Sequence, residues 1–484
     1  MYRIVTKLAG FIALLGILSA AVRLPDTWGS AGKKAASAAA ASAAAASAAV
    51  SVTVDDTRPG AVIPADFLGL SYEITALTDT VYFRWRQARL RNLINNLGEG
   101  TLRLNGYYGN FVPWTSRTRT LAMTKGNNNY QTDTVASSDL DSLFAFMRTT
   151  KWKVILGVNA YHSSPAAALA ELQYAWAKGK DVIRAFEIGN EPDGLYKSNY
   201  DEYRKVAMPY FELLKKELPD APVCGPASLH PELFIKDFIR QDADKVNFIT
   251  VHEYPVGDSK TPESVYQLLD DKYARRAADF SRAVDSMCRQ RNVRYRIGEC
   301  NSFGDEGPGV ADRFAAALWG LDYMFTVAAN HAMGVNFHGG SRNFTPIRIK
   351  KNSAPLPQPL YYAMLFFHLA GQGSLLPVSE TPDNPAIKAY ATLSDGHSVA
   401  VTLINKDVDN DVVVHLALKG RFSGATLSRL SAPSIFSRDS ITLGGSSVDR
   451  SGRWAAASKE TLAPVNGQWT VTVPRASAIL VKLK

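Results

Sequence analysis

The chain has 484 residues, too long for one simple domain and enough for two or three units. Its 46% hydrophobic and 20% charged residues are ordinary for a globular protein, so a large buried core is available. Residues 1–50 carry +4 of the formal charge of +9, and the remaining +5 includes no block of basic residues interleaved with aromatics, so nucleic-acid binding has no support.

In chain order, residues 1–22 read as a signal peptide. Arg3 and Lys7 give a charged start, Leu8 to Val22 is apolar, and small residues sit near its end at Ser19-Ala20-Ala21. The stretch is rather short for a membrane span, with an uncleaved N-terminal anchor as the alternative. Residues 23–49 form a linker that is almost wholly Ala and Ser from Ala35, with nothing to bury. A secreted or periplasmic protein is expected, with no stable membrane insertion after signal cleavage.

Residues 50–66 begin with an alternating segment, Val50–Asp55, expected to join a β-sandwich further on. From residue 67 short apolar runs recur: Phe67–Ile74, Thr101–Gly106, Lys153–Ala160, Ala185–Pro192, Pro222–Ser228, Phe248–Pro255, Arg294–Asn301 and Val335–Gly340. Helical periodicity fills several of the gaps, as at Tyr203–Leu218, Ser264–Arg289 and Asp312–Ala329. Apolar strands that alternate with helices imply a parallel sheet covered on its outer side. Eight of them fit a (β/α)8 TIM barrel over residues 67–370 better than a six-stranded open sheet. After Gly371 the period becomes two, at Ile387–Thr392, Ser398–Asn405, Asp411–Leu418, Gly424–Leu430 and Trp469–Val473, before the apolar run Ala478–Leu483. An antiparallel β-sandwich over 371–484 is expected. Cys224, Cys288 and Cys300 match no zinc spacing and read as small buried residues.

Polar residues gather where the apolar runs end: Glu73, Asn105, Asn159, Glu191, Ser228, His252 to Tyr254, Glu299 and His338. In a barrel those ends share the C-terminal mouth, where the catalytic groups of this fold sit. Glu191 and Glu299 are the most telling. A carboxyl after an apolar run is costly to desolvate unless it has partners or a task, and two at one mouth suit hydrolysis of a glycosidic bond. In Asn190-Glu191-Pro192 the amide can meet a substrate hydroxyl, the carboxyl can donate a proton and the proline stops the strand.

These segments resemble the clan of retaining glycosidases with (β/α)8 barrels. Gly69-Leu-Ser-Tyr-Glu73, Glu187-Ile-Gly-Asn-Glu-Pro-Asp193, Val251-His-Glu-Tyr254, Glu299-Cys-Asn-Ser302 and Val335-Asn-Phe-His338 together resemble glycoside hydrolase family 79, which contains heparanase and microbial β-glucuronidases. The similarity covers about residues 50–484, the C-terminal β domain included. It implies that Glu191 is the general acid/base and Glu299 the nucleophile. Asn190 would hold the sugar 2-hydroxyl, Tyr254 would hydrogen-bond the nucleophile, Glu73 would bind outer hydroxyls of the terminal sugar and Arg103 would place a cation beneath Glu299. Asn105 and His338, also at run ends, join them as candidate substrate contacts.

The chain departs from the family where the uronate carboxylate is read. Relatives use backbone amides of a glycine-containing loop after the nucleophile and a tyrosine after strand eight. Here the loop reads Phe303-Gly-Asp-Glu-Gly-Pro-Gly309 and the tyrosine position is Phe344. The amides of Gly304, Gly307 and Gly309 remain candidate donors, with Arg342 or His338 to compensate. His252-Glu253 lacks the second helical histidine of a zinc protease, and neither metal nor cofactor is expected. The reading is a secreted retaining β-glycosidase, most naturally a β-glucuronidase, whose partner is a glucuronide or a uronic-acid-containing glycan. A neutral-sugar glycosidase of the same clan and a non-catalytic carbohydrate-binding protein on the same fold are the alternatives.

Overall fold

The computed structural model describes residues 49–484 apart from 85–86, 119–133, 198, 230–233, 395–397, 458–459 and 466–467. The expected signal peptide, and all of the expected linker except residue 49, lie outside the described residues. Strand β1 (Val50–Val54) comes first, followed by the strands of a closed barrel. These are β2 (Gly69–Glu73), β3 (Gly100–Asn105), β4 (Trp152–Val158), β5 (Ile183–Ile188), β6 (Val223–Ser228), β7 (Phe248–Glu253), β8 (Tyr295–Cys300) and β9 (Val335–His338). They pair in parallel in sequence order, and β9 closes on β2. Each coincides with one of the eight apolar runs, with β3, β4 and β5 beginning one or two residues before it. The reason is burial on both faces: every residue of β3, β6, β7, β8 and β9 is buried.

The helices follow local signals. Ser164 caps Pro165–Gly179 by accepting from the Ala167 amide, and Asn199 caps Tyr200–Glu217 by accepting from Glu202. The single helix expected over Ser264–Arg289 is two elements, a 3-10 stretch at Pro262–Leu269 and an α-helix at Asp271–Gln290. Asp270 separates them: its side chain accepts from the Lys272 amide and starts the second helix as an N-cap. Pro359–Ala370, after β9, is apolar on nearly every face and almost wholly buried. Phe367 from this helix packs at 4.7 Å on Phe325 of the helix Ala315–Ala329, and Phe325 stacks at 4.7 Å on Tyr390 of the sandwich.

The remaining strands are β10 (Ser374–Leu376), β11 (Val378–Thr381), β12 (Ile387–Ser394), β13 (Ser398–Asn405), β14 (Val412–Leu418), β15 (Ala425–Ser431), β16 (Trp469–Val473) and β17 (Ser477–Leu483). One sheet runs β11-β1-β14-β16, and the other runs β10-β12-β13-β17-β15 before short additions. β1 lies antiparallel to β11 and parallel to β14, with Val50, Val52 and Val54 in the sandwich core. The sandwich is tied to the barrel by an ion pair between Lys406 and Asp322, both 2% exposed, with the Tyr390 hydroxyl donating to the same carboxylate. Among the described residues no helix is long and apolar enough to cross a membrane.

Candidate active site

The parallel barrel delivers the ends of its strands to one mouth, and irregular backbone there aims the side chains. β8 shifts register between Ile297 and Glu299 against its neighbour β7. Such a bulge re-aims the residue after it. Gly298 permits this: a Cβ there would come within 3.2 Å of Thr250 and 3.4 Å of the Glu187 carboxylate. After β5 the chain turns through Gly189 at φ 72° and Glu191 at φ 46°, and the Glu191 amide donates to Ala227 O near the end of the neighbouring strand β6 at 2.9 Å. A left-handed backbone at a glutamate is uncommon and costs about 1–2 kcal/mol. Here the turn brings the carboxyl back over the mouth, where it stays 28% exposed.

Glu299 is gripped from two sides. Arg103 Nη1 donates to Oε2 at 2.8 Å and the Tyr254 hydroxyl donates to Oε1 at 2.8 Å. Burial opposes charge on Glu299, but the His338 and His252 rings, the Arg103 guanidinium and the Tyr254 hydroxyl outweigh it and hold the carboxyl well below the usual range. Burial, with the Glu299 charge beside it, keeps Tyr254 protonated and therefore a donor. Burial also lowers His338 to about 4 despite Glu299, so its ring is neutral near pH 7. His338 Nδ1 lies 3.2 Å from Ser71 Oγ and 3.4 Å from Glu299 Oε2.

Arg103 is fully buried and fully engaged. Nε donates to Glu187 at 2.5 Å, Nη1 also donates to Ser71 at 3.2 Å and Nη2 donates to Asn190 Oδ1 at 2.7 Å. With that oxygen taken and its backbone held by the Asn110 amide group, Asn190 has its NH2 group left to offer a ligand. Asn105 is placed differently from expectation. Its amide donates to Glu187 at 2.9 Å and to Gly189 O at 2.8 Å, so it braces the turn beneath the site and does not face a ligand. Gly304 is a second correction: its amide already donates to Gly257 O at 2.7 Å, and the Gly307 amide donates to Asp305 at 3.1 Å. Neither can welcome a carboxylate without breaking that bond.

Glu191 and Glu299 come together with His252. One ligand atom from each falls within 4.8 Å of the others, and His252 Nδ1 lies 2.9 Å from Glu191 Oε1. The same cluster has the spacing of a cation site, but Arg103 already brings a positive charge to 2.8 Å from Glu299. At the outer edge Glu73 accepts from the Tyr108 amide at 3.1 Å. Burial and then the Glu299 charge push its pKa up to about 7. A cleft of about 480 Å³ opens beside it, lined by Tyr82, Tyr108, Glu306 and Arg342 among others. Phe344 is buried, with its ring 6.3 Å from Tyr254 and 6.2 Å from His338.

Two members of this network carry no role in the sequence reading. Glu187 is wholly buried and anchors Arg103, and its signal was a carboxylate inside an otherwise apolar run. Ser71 bridges Arg103 and His338, and a serine in a strand offers no comparable signal.

Residues 389–480 match the model of the glycosyl hydrolase family 79 C-terminal β domain. The chain is 22% identical to bovine heparanase over 406 residues, covering 69% of this chain and 71% of that protein. A β-glucuronidase of Aspergillus niger is 27% identical over 163 residues, 32% of this chain and 28% of that protein. Among solved structures, a 4-O-α-L-rhamnosyl-β-D-glucuronidase from Fusarium oxysporum superposes with a TM-score of 0.74 at 18% identity, covering 89% of this chain and 99% of that one. A family 51 α-L-arabinofuranosidase from Bifidobacterium longum gives a TM-score of 0.68 at 14% identity, covering 90% and 99%. On the matched β domain and these relatives together, the chain carries a glycosyl hydrolase family 79 C-terminal β domain and is a glycoside hydrolase similar to members of that family.

Proposed function

We propose that this chain is a secreted retaining β-glucuronidase that works by double displacement. Glu299 attacks the anomeric carbon while Glu191 protonates the departing oxygen. Glu191 then takes a proton from the water that releases the sugar from Glu299. The observation that carries the reading is the approach of a Glu191 oxygen to within 4.8 Å of a Glu299 oxygen. Retaining enzymes hold their carboxyl groups about 5–5.5 Å apart, whereas inverting enzymes leave about 6.5–9.5 Å for a water. The contrast between the two carboxyls supports the division of roles. Glu299 is fixed by two donors and held ionised, while Glu191 is more exposed and has a histidine behind it. Asn190, Glu73 and His338 line the same mouth and suit the hydroxyls of the bound sugar.

The choice of glucuronic acid rests on the relatives, which include heparanases and a β-glucuronidase. Secretion rests on the signal-like pattern of residues 1–22. One screen tests the substrate: nitrophenyl β-glucuronide against β-glucoside, β-galactoside and β-xyloside. Turnover of the glucuronide at least tenfold above the others is expected, and a preference for a neutral sugar would overturn the uronidase reading. NMR of the first product should show the β-anomer; α-anomer first would overturn the nucleophile assignment.

A further inference from the structure

We infer that Arg342 reads the substrate's carboxylate and that Glu306 occupies its place until the substrate displaces it. The inference rests on the glucuronidase reading and deepens it. The groups supplied by a glycine loop and a tyrosine in the family are unsuited here. The Gly304 and Gly307 amides are spent on Gly257 O and Asp305, and Phe344 has no hydroxyl. A uronate bound in this mouth thus lacks two of the three loop amides and the tyrosine hydroxyl, which leaves a role for a charged partner.

The side chains run outward from the nucleophile in a continuous line. Glu299 lies against His338 at 3.4 Å, and His338 Nε2 lies 3.7 Å from Glu73. Arg342 Nη2 then reaches Glu73 at 3.5 Å, and its Nη1 donates to Glu306 at 2.9 Å. With C1 at Glu299, the carboxylate on C5, across the ring oxygen from C1, can be directed toward the Arg342 end of this line. Arg342 is also the cation in the lining of the cleft that opens there.

Glu306 has the features of an internal stand-in. Of the two loop acids, Asp305 turns away and fastens the loop, accepting from the Ser259 amide and hydroxyl and from the Gly307 amide. Glu306 instead adopts φ 70°, a left-handed backbone that a glutamate rarely takes. That conformation sets its carboxylate on Arg342. Strain of this kind marks a position that the surrounding loop enforces. Both partners stay about one-third exposed, with side chains 33% and 35% accessible, so the pair is weak enough to exchange. A guanidinium fork can accept an incoming carboxylate in two parallel bonds, a geometry a lysine does not offer. The exchange replaces one carboxylate by another, so Arg342 is never left unpaired in the mouth. Its cost is that the substrate competes with Glu306, which sets a weaker affinity than an open guanidinium would give.

The test uses the full chain with nitrophenyl β-glucuronide and nitrophenyl β-glucoside. Arg342→Ala should lower kcat/KM on the glucuronide by roughly 10²-fold, because a substrate charge loses its bidentate partner, and change the glucoside by less than about 3-fold. Arg342→Lys should recover part of the glucuronide loss only. Glu306→Gly relaxes the left-handed backbone while removing the carboxylate, and Glu306→Gln keeps the side-chain shape. Both should lower KM for the glucuronide by about 2–5-fold, the value of a partly exposed ion pair, and leave the glucoside KM unchanged. Equal losses on both substrates in Arg342→Ala, or a glucuronide KM that rises in both Glu306 variants, would overturn the inference. A parent enzyme that ignores glucuronides would instead overturn the uronidase reading, so the two failures are distinguishable.

Discussion

Replacing Arg103 with methionine removes the guanidinium that Glu187 and Glu299 share. All three side chains are at most 8% exposed, and the arginine also holds Asn190 and Ser71. Deleting one partner of a buried ion pair costs about 3–5 kcal/mol because the other charge is left without compensation. At about 1.4 kcal/mol per pKa unit, that is enough to lift a buried carboxylate by about 2–4. Glu299, now held well below the ordinary range, should therefore rise back toward the ordinary carboxylate value. Turnover needs it ionised, so the acid limb of kcat/KM should move up by at least about one pH unit. The stability difference should be confined to high pH. In the parent the depressed pKa of Glu299 contributes stability above the ordinary carboxylate value of about 4.5, and that contribution is lost as pH falls through the folded-state pKa. In the variant a pKa back near the ordinary value removes that contribution. The Tm gap between parent and variant should be large at pH 7.5 and narrow only below about pH 4.5. Rate profiles between about pH 3 and 8 and thermal unfolding at pH 7.5 and about pH 3.5 measure this. A folded variant whose acid limb stays put, or whose Tm gap does not narrow, would refute the reasoning.

Glu299→Ala should abolish turnover, measured with any nitrophenyl glycoside that the parent cleaves. Glu191→Ala should lose roughly 10²–10⁴-fold on substrates with poor leaving groups but keep the first step on a dinitrophenyl glycoside, with azide restoring turnover as a β-glycosyl azide. His252→Ala frees Glu191 Oε1 from its 2.9 Å contact and should cost roughly 10-fold on poor leaving groups, with little effect on dinitrophenyl substrates. Lys406→Met strands the buried Asp322 and should lower stability by about 3–5 kcal/mol; Asp322→Leu in the same chain should recover most of it, with kcat at 25 °C unaltered throughout.

The barrel was legible because its strands are buried on both faces and leave unbroken apolar runs. β10 and β11 were not legible: they have three and four residues and stand either side of Pro377. The break between the two elements around Asp270 had a signal in Leu269-Asp-Asp-Lys272, an acid that can cap, but helical periodicity on both sides masked it. At the mouth, residue type and strand end located Glu191 and Glu299 in the chain. Sequence position does not say which partner takes a polar group. Asn105 and Gly304 show this, since the amide of each is consumed by neighbours brought in by tertiary packing. Glu187 shows the converse, a residue whose placement inside an apolar run already demanded a buried cation.

β1 belongs to the first fifty-odd residues, yet it sits between two strands from the far end of the chain, with Thr53 opposite Ser379 on one side and Ala417 on the other. As the chain is synthesised, the barrel residues appear long before either partner of β1 exists. The N-terminal strand must therefore wait, unpaired, while the barrel assembles behind it. Only when the last hundred residues arrive can it be captured, and it then closes the sandwich from the middle of a sheet. A chain that stops short of β14 would carry an apolar strand with free edges on a folded barrel, the kind of surface that recruits other chains. Strand β1 and the C-terminal strands thus form one latch, and ribosomal stalling or C-terminal clipping should show first as aggregation while the catalytic mouth is still intact.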